Sequence, residues 1–155
     1  MNKGFQLASK DFPSGAAIPR QHTCQGPDES PELHWSEVPA GTVSFALIVD
    51  DPDAPAGDWV HWVVWNIPAA EHGMAANFTR QEQTASGTRQ GRNDFGKTGY
   101  NGPCPPPGKT HRYFFRLYAL NAKLDLEPGA TRAQLESAMQ GHIVAQAEYM
   151  GTFKR

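Results

Sequence analysis

VSFALIVDDPDAPAGDWVHWVVW, residues 43–65, reads as two apolar strands joined by a polar loop. Its flanks are rich in Val, Ile, Phe and Trp, the residues that fit a pleated surface. The loop carries Asp50, Asp51, Asp53 and Asp58, and His61 follows just inside the second strand. A connection of about eight residues closes an antiparallel pair, so Asp51, leaving the first strand, is expected back near His61. Alternation of side chains puts Trp59 and His61 on one face and Val60 and Trp62 on the other. Both faces are largely apolar, which predicts a hairpin at the centre of a sheet covered on both sides. An aspartate beside a histidine favours the imidazolium and fixes the ring. Equally, His61 can be a satisfied core histidine and the aspartates ordinary turn residues.

Downstream, residues 81–111 contain no Leu, Ile, Val or Met. Such a run builds no core, and the aromatic anchors Phe95 and Tyr100 predict an ordered functional loop. Its end, Gly102-Pro-Cys-Pro-Pro-Pro-Gly108, fixes φ at four prolines and gives a stiff wall suited to a pocket rim. A plain proline-rich linker or peptide ligand is the alternative reading. Residues 111–120, HRYFFRLYAL, form a clear strand with His111, Tyr113, Phe115 and Leu117 on one face and Arg112, Phe114, Arg116 and Tyr118 on the other. If this strand neighbours the hairpin, two histidines, a tyrosine and one or two aspartates meet at one sheet end.

The remaining chain is organised around these pieces. Upstream, apolar patches at Phe5 to Leu7 and Leu33 to Trp35 predict short strands among Pro- and Gly-rich loops. Thr131-Arg-Ala-Gln134 is a capping box that predicts a short helix near 132–140, with Gly141 ending it. Residues 143–153 alternate as a last strand.

The chain has 155 residues, 14 basic and 16 acidic, for a formal charge of −2. One domain spanning 1–155 is expected. Charges are spread and only 19% of residues carry one, so no basic footprint for nucleic acid is present. With Gly (15) and Pro (13) abundant, the composition favours a mainly β domain. The N-terminal stretch shows no apolar leader or span, which predicts a cytoplasmic protein without integral membrane insertion. Cys24 and Cys104 lack CxxC spacing and are expected as free thiols.

Three chemistries suit His61, His111, Asp51, Asp53 and Tyr113. A divalent metal site needs two histidines and a carboxylate, yet neither HxH nor HExxH occurs. Acid/base catalysis or metal-assisted hydrolysis through His61, His111 and Asp51 is the enzymatic alternative, although no Ser sits in a nucleophile elbow. An anion pocket, in which imidazole N–H groups, the Tyr113 hydroxyl and backbone amides near Gly102 meet a phosphate or carboxylate, asks least of the sequence. No cofactor and no metal is expected.

Several ordered blocks resemble the phosphatidylethanolamine-binding protein family, in its bacterial Raf-kinase-inhibitor-like branch. They are Asp51-Pro-Asp-Ala-Pro55, the Trp59 to Trp62 stretch with His61, Gly102-Pro103 followed by His111-Arg-Tyr113, and Gly91-Arg-Asn-Asp-Phe-Gly96 with Gly99-Tyr100 and Cys104-Pro-Pro106. The resemblance runs from about Phe5 to Phe153. It implies an antiparallel β-sandwich, a large sheet packed on a smaller one, with short peripheral helices. It also implies a ligand pocket built from Asp51, Asp53, Trp59, His61, Gly102, Pro103, His111 and Tyr113. The implied ligands are phosphate, a phospholipid head group or a phosphorylated partner, with a kinase or protease as protein partner. A homodimer is compatible with it, as is an interaction protein that uses the proline wall alone. Val60 stands where eukaryotic members often carry a second histidine, so the ligand specificity of that branch does not carry over.

Overall fold

The computed structural model describes residues 4–155; the first three residues of the N-terminal stretch lie outside it. In chain order the elements are β1 (Gln6–Ala8), a 3-10 turn (Arg20–His22), β2 (Leu33–Ser36), β3 (Ser44–Asp51), β4 (Trp59–Pro68), β5 (Gly73–Met74), β6 (Arg89–Gln90), β7 (His111–Leu120), α1 (Arg132–Met139) and β8 (Ile143–Phe153). They form a five-stranded sheet in the order β6-β4-β3-β7-β8 and a three-stranded sheet in the order β1-β2-β5. The named strands pair antiparallel throughout. The fold is mainly β, as the sequence predicts. Among the described residues no helix is long and apolar enough to cross a membrane.

The hairpin β3/β4 sits in the middle of the large sheet, and every residue of β3 is buried. Covering both faces explains this. On one face Phe45, Leu47, Val49, Trp62 and Val64 pack against Leu7, Leu33, Trp35 and Met74 of the small sheet. On the other, Ala46, Ile48, Val63 and Trp65 pack against Leu135 and Met139 of α1 and the chain leading to it. The helix starts as its capping box dictates, with Thr131 accepting from the Gln134 amide and Gln134 closing back on the Thr131 amide at 2.9 Å.

Two expectations are corrected. Val60 and Trp62 do not share a face: Val60 belongs to the helix side and Trp62 to the small-sheet side. The register runs from Val49↔Trp62 to Asp50↔Val60, so His61 is an extra residue in β4. A β-bulge of this kind resets the alternation and re-aims one side chain. A second irregularity lies between Phe45 and Leu47, where β4 again holds one residue more, beside Asn66 at φ 56°.

The second correction concerns the thiols. Cys24 and Cys104, expected free, form a disulfide across a sequence separation of 80. Local spacing rules see only neighbouring cysteines; this pair is brought together by the fold, with the Cys24 amide donating to the Pro103 carbonyl at 3.1 Å.

Candidate functional site

β3 ends and β4 begins at the sheet end where β7 starts, because Asp50 pairs with Phe114 on one side and Val60 on the other. That register brings Asp51, Trp59, His61, His111 and Tyr113 around one cavity of about 290 Å³. Ala54, Pro55 and Ala56 of the β3–β4 loop, Phe95, and Cys104 to Pro106 complete its lining. The prolines do form a pocket wall. Trp59, Phe95, His61 and Tyr113 make a continuous aromatic lining: Trp59 to Phe95 is 5.5 Å between ring centres, Phe95 to His61 5.3 Å, and His61 to Tyr113 5.3 Å, each edge-on.

Both histidines are pinned at Nδ1, by different partners. His111 Nδ1–H donates to the Asp51 carboxylate at 2.7 Å, with both side chains buried. The sequence reading brought Asp51 back toward His61, and the hydrogen bond instead crosses to β7. His61 Nδ1–H donates to the Asn101 carbonyl at 2.6 Å. With Nδ1 committed, Nε2 is the ring nitrogen left to face a ligand in each case. Burial pushes the His61 pKa below its ordinary 6.5, against the pull of the Asn101 carbonyl and the Asp51 charge. The ring is therefore neutral at pH 7. Tyr113 is buried beside both rings, and its hydroxyl has no hydrogen-bond partner among the described residues. Burial, then the Asp51 charge, holds its pKa above the usual phenol value.

The aliphatic-free loop supplies the other half of the frame through polar contacts. The Asp94 amide donates to Val60 O at 2.9 Å, the Val60 amide to Asp94 Oδ2 at 2.7 Å, and the Asn101 amide to His61 O at 3.2 Å, which takes up the bulged backbone of β4. Asn93, buried, donates to Gly99 O and Asn101 Oδ1 and accepts from the Phe95 and Lys97 amides. Asp28 accepts from the Gly102 amide at 2.9 Å.

The residues named from the sequence therefore divide. Asp51, Trp59, His61, His111 and Tyr113 line the cavity. Gly102 and Pro103 are buried behind the wall, with the Gly102 amide given to Asp28 and the Pro103 carbonyl to Cys24. Asp53 stands at the loop's outer side, where it accepts from the Arg112 amide and forms a bidentate pair with its guanidinium, all at 2.9 Å. That pair holds the Asp53 carboxyl at about 2 and ties the loop to β7. Sequence reasoning missed Asp28 and Asn101, whose side chains brace the wall across a separation of 73 residues. Neither carries a local signal, although Asn101 adjoins the Gly102-Pro103 block. Among the described residues no group of three or more His, Cys, Asp or Glu is placed to hold a metal ion.

Directly behind the pocket, Asp50 points to the helix side. It is buried, 3.1 Å from Arg116 Nε and 3.0 Å from Arg132 Nη1, and Arg132 also pairs with Asp58 and Glu136. Burial and the neighbouring Asp58 push the Asp50 carboxyl up to about 6 despite the two arginines. Because its folded pKa lies above the ordinary 3.8, ionised Asp50 weighs against the folded state above pH 6 and that burden is relieved as pH falls toward 3.8. His61, with its lowered pKa, acts in the opposite sense below 6.5. The difference between wild type and Asp50→Asn isolates the first effect. Urea unfolding is expected to show wild type gaining on the variant by on the order of 2 kcal/mol between pH 7 and 4.5. A pH-independent difference contradicts the assignment.

The family model for phosphatidylethanolamine-binding proteins matches residues 8–154. The chain belongs to the phosphatidylethanolamine-binding protein family. Two relatives are matched over most of their own length. A UPF0098 protein of Aquifex aeolicus is 48% identical over 153 residues, 97% of this chain and 89% of that one. A UPF0098 protein of Methanothermobacter thermautotrophicus is 47% identical over 151 residues, covering 97% and 99%. Among solved structures, a phosphatidylethanolamine-binding protein homologue from Chlamydia trachomatis superposes with a TM-score of 0.90 at 42% identity, covering 99% of each chain. Escherichia coli YbcL, described as a new member of the mammalian PEBP family, does so with a TM-score of 0.90 at 37% identity, covering 97% of this chain and 98% of that one.

Proposed function

We propose that the cavity binds a small anion, a phosphate or a phosphorylated head group, and that the protein serves as a kinase- or protease-inhibitor-like regulatory module of this kind. One observation carries the reading: the buried Tyr113 hydroxyl has no hydrogen-bond partner of good geometry among the described residues and stands beside two histidines whose Nδ1 positions are already taken. An orphaned buried hydroxyl costs about 1–3 kcal/mol, which an accepting ligand oxygen would recover. Tyr113 supplies a donor, and the Nε2 atoms of His111, backed by Asp51, and of His61 supply further donors when their rings are protonated.

Tyr113→Phe therefore separates binding from folding. Removing a hydroxyl that bonds nothing should leave the urea midpoint unchanged or raised, while phosphate affinity falls about tenfold. A destabilised variant with intact affinity contradicts this role. Affinity should also depend on pH in a defined direction. His61 is neutral above its lowered pKa and presents a lone pair; an anion favours the imidazolium, so binding takes up a proton and tightens as pH falls from 7.5 to 5.5. Phosphate gains a proton over the same range, so sulfate, whose charge is constant, is titrated in parallel. Histidine side-chain NMR should show sulfate affinity rising by up to about tenfold per pH unit as pH falls toward the lowered His61 pKa, levelling off below it, and a flat profile in His61→Ala. A flat wild-type profile removes His61 from the site.

The Asp51–His111 bond favours a second reading, in which the pair acts as the base of a hydrolase. Hydrolysis yields product from a phosphate ester and loses rate in His111→Ala, whereas a binder saturates without turnover. The cytoplasmic setting expected from the N-terminus and the disulfide pull apart, since such bonds persist in oxidising compartments.

A further inference from the structure

Cys104 is both a lining residue of the cavity and one half of the disulfide. Its setting makes that bond the principal tie of the wall. Prolines at 103, 105, 106 and 107 have no amide hydrogen, so Cys104 carries the single backbone donor of residues 103–107, and that donor makes no bond among the described residues. The segment belongs to no strand or helix. Apart from the disulfide it is held through two carbonyls, Pro103 accepting from the Cys24 amide and Pro105 from Arg155 Nε at 2.6 Å. The first of these contacts itself depends on Cys24 staying in place. At its upstream end the same segment joins Asn101, whose carbonyl orients His61. Cys24 is exposed at the surface while Cys104 is half-buried, so the Cys24 side is the one from which a reductant approaches the bond.

We propose that the Cys24–Cys104 disulfide is a redox gate on the anion pocket: the oxidised form holds the wall and His61 in the binding geometry, and reduction by a dithiol releases both. The gate rests on the anion-pocket reading above. In the reducing step a thiolate of the external dithiol attacks Cys24 Sγ, the Cys24–Cys104 bond breaks and Cys104 leaves as a thiolate. The second thiol then attacks the mixed disulfide, releasing Cys24 and leaving the dithiol oxidised. Two electrons and two protons pass to the protein, giving two thiols. A pre-organised wall costs the ligand no ordering; a freed one must be ordered on binding.

The experiment measures binding of inorganic phosphate to the oxidised protein, to the protein reduced with dithiothreitol and to Cys24→Ser, with thiols counted by alkylation and intact mass. Backbone hydrogen exchange is followed in all three. The expected result is phosphate affinity about tenfold weaker in the reduced protein, restored on reoxidation. Cys24→Ser should match the reduced form and ignore dithiothreitol. Exchange should rise at residues 100–108 while β3, β4 and β7 stay protected. Equal affinity in both forms, with two free thiols verified, overturns the gate. So does loss of protection across the central strands, which makes the bond a global staple instead. If the oxidised protein binds no phosphate, the anion-pocket reading fails. In that event a His61 ring signal and Trp59 fluorescence unchanged on reduction dispose of the movable wall as well, and a change in both retains it.

Discussion

Gly102→Ala is expected to cost about 3 kcal/mol of stability and to abolish measurable phosphate binding, although Gly102 does not itself line the cavity. A Cβ built there lies 2.0 Å from the His22 carbonyl oxygen, 2.7 Å from Asp28 Oδ1 and 2.9 Å from the Tyr100 hydroxyl. All three are already engaged: Tyr100 donates to His22 O at 2.7 Å, and Asp28 Oδ1 receives the Gly102 amide. Backbone cannot withdraw as a flexible side-chain tip would, so residues 101–103 must shift. The Asn101 carbonyl then leaves His61 Nδ1, and the ring loses the bond that fixes its tautomer. Gly91→Ala serves as the control. Its Cβ would lie 2.0 Å from the Ala130 carbonyl oxygen, on the helix side of the sheet. A comparable loss in urea unfolding is expected there, with His61 resonances and phosphate affinity retained. Equal effects of the two substitutions on binding would show that Gly102 acts only through global stability.

Trp62→Ala is expected to be the most destabilising single change, at about 4–5 kcal/mol. The side chain is fully buried and packs edge-on against Tyr100 at 5.4 Å and beside Phe78 at 6.2 Å. Its indole N–H donates at 2.7 Å to Gln90 Oε1, and Gln90 Nε2 in turn donates to the Thr79 and Gln81 carbonyls. Truncation leaves a cavity and an unpaired buried carbonyl, two penalties that add. Trp62→Phe keeps much of the packing and gives up the hydrogen bond, so about half the loss is expected. Equilibrium urea unfolding followed by circular dichroism checks both. A loss under about 2 kcal/mol for Trp62→Ala would mean that the loop around Gln90 collapses to fill the space.

Much of this frame is legible in the chain itself. β3, β4 and β7 announce themselves by apolar, β-branched and aromatic runs long enough for period-two reading, and the capping box at Thr131 marks the helix start to the residue. The gathering of His61, His111, Tyr113 and Asp51 follows once β7 is placed beside β3. What stayed hidden has no periodic signature. A single extra residue at His61 changes no composition, yet it inverts the face assignments from there to the second irregularity of β4. The partner of Asp51 depends on which neighbouring strand offers a ring nitrogen at the right height, and that is set by register. The disulfide and the Asp28–Gly102 bond join segments more than 70 residues apart, where spacing rules carry no information. The motif blocks single out Gly102 and Pro103, but nothing in them tells of their place behind the wall.

The two irregularities of β4 compensate each other. Odd-numbered residues face the small sheet before the first, at Trp59 and His61; even-numbered ones do so between them, at Trp62 and Val64; odd-numbered ones do so again at Ile67. The strand is thus three short reading frames whose shifts sum to a whole pleat. For anyone diversifying this scaffold, β4 has to be randomised as three separate blocks. Deleting the extra residue at either bulge leaves plain period-two alternation with every remaining block on its own face, so what is lost is the side chain the bulge re-aims, which at the first bulge is the pocket residue His61.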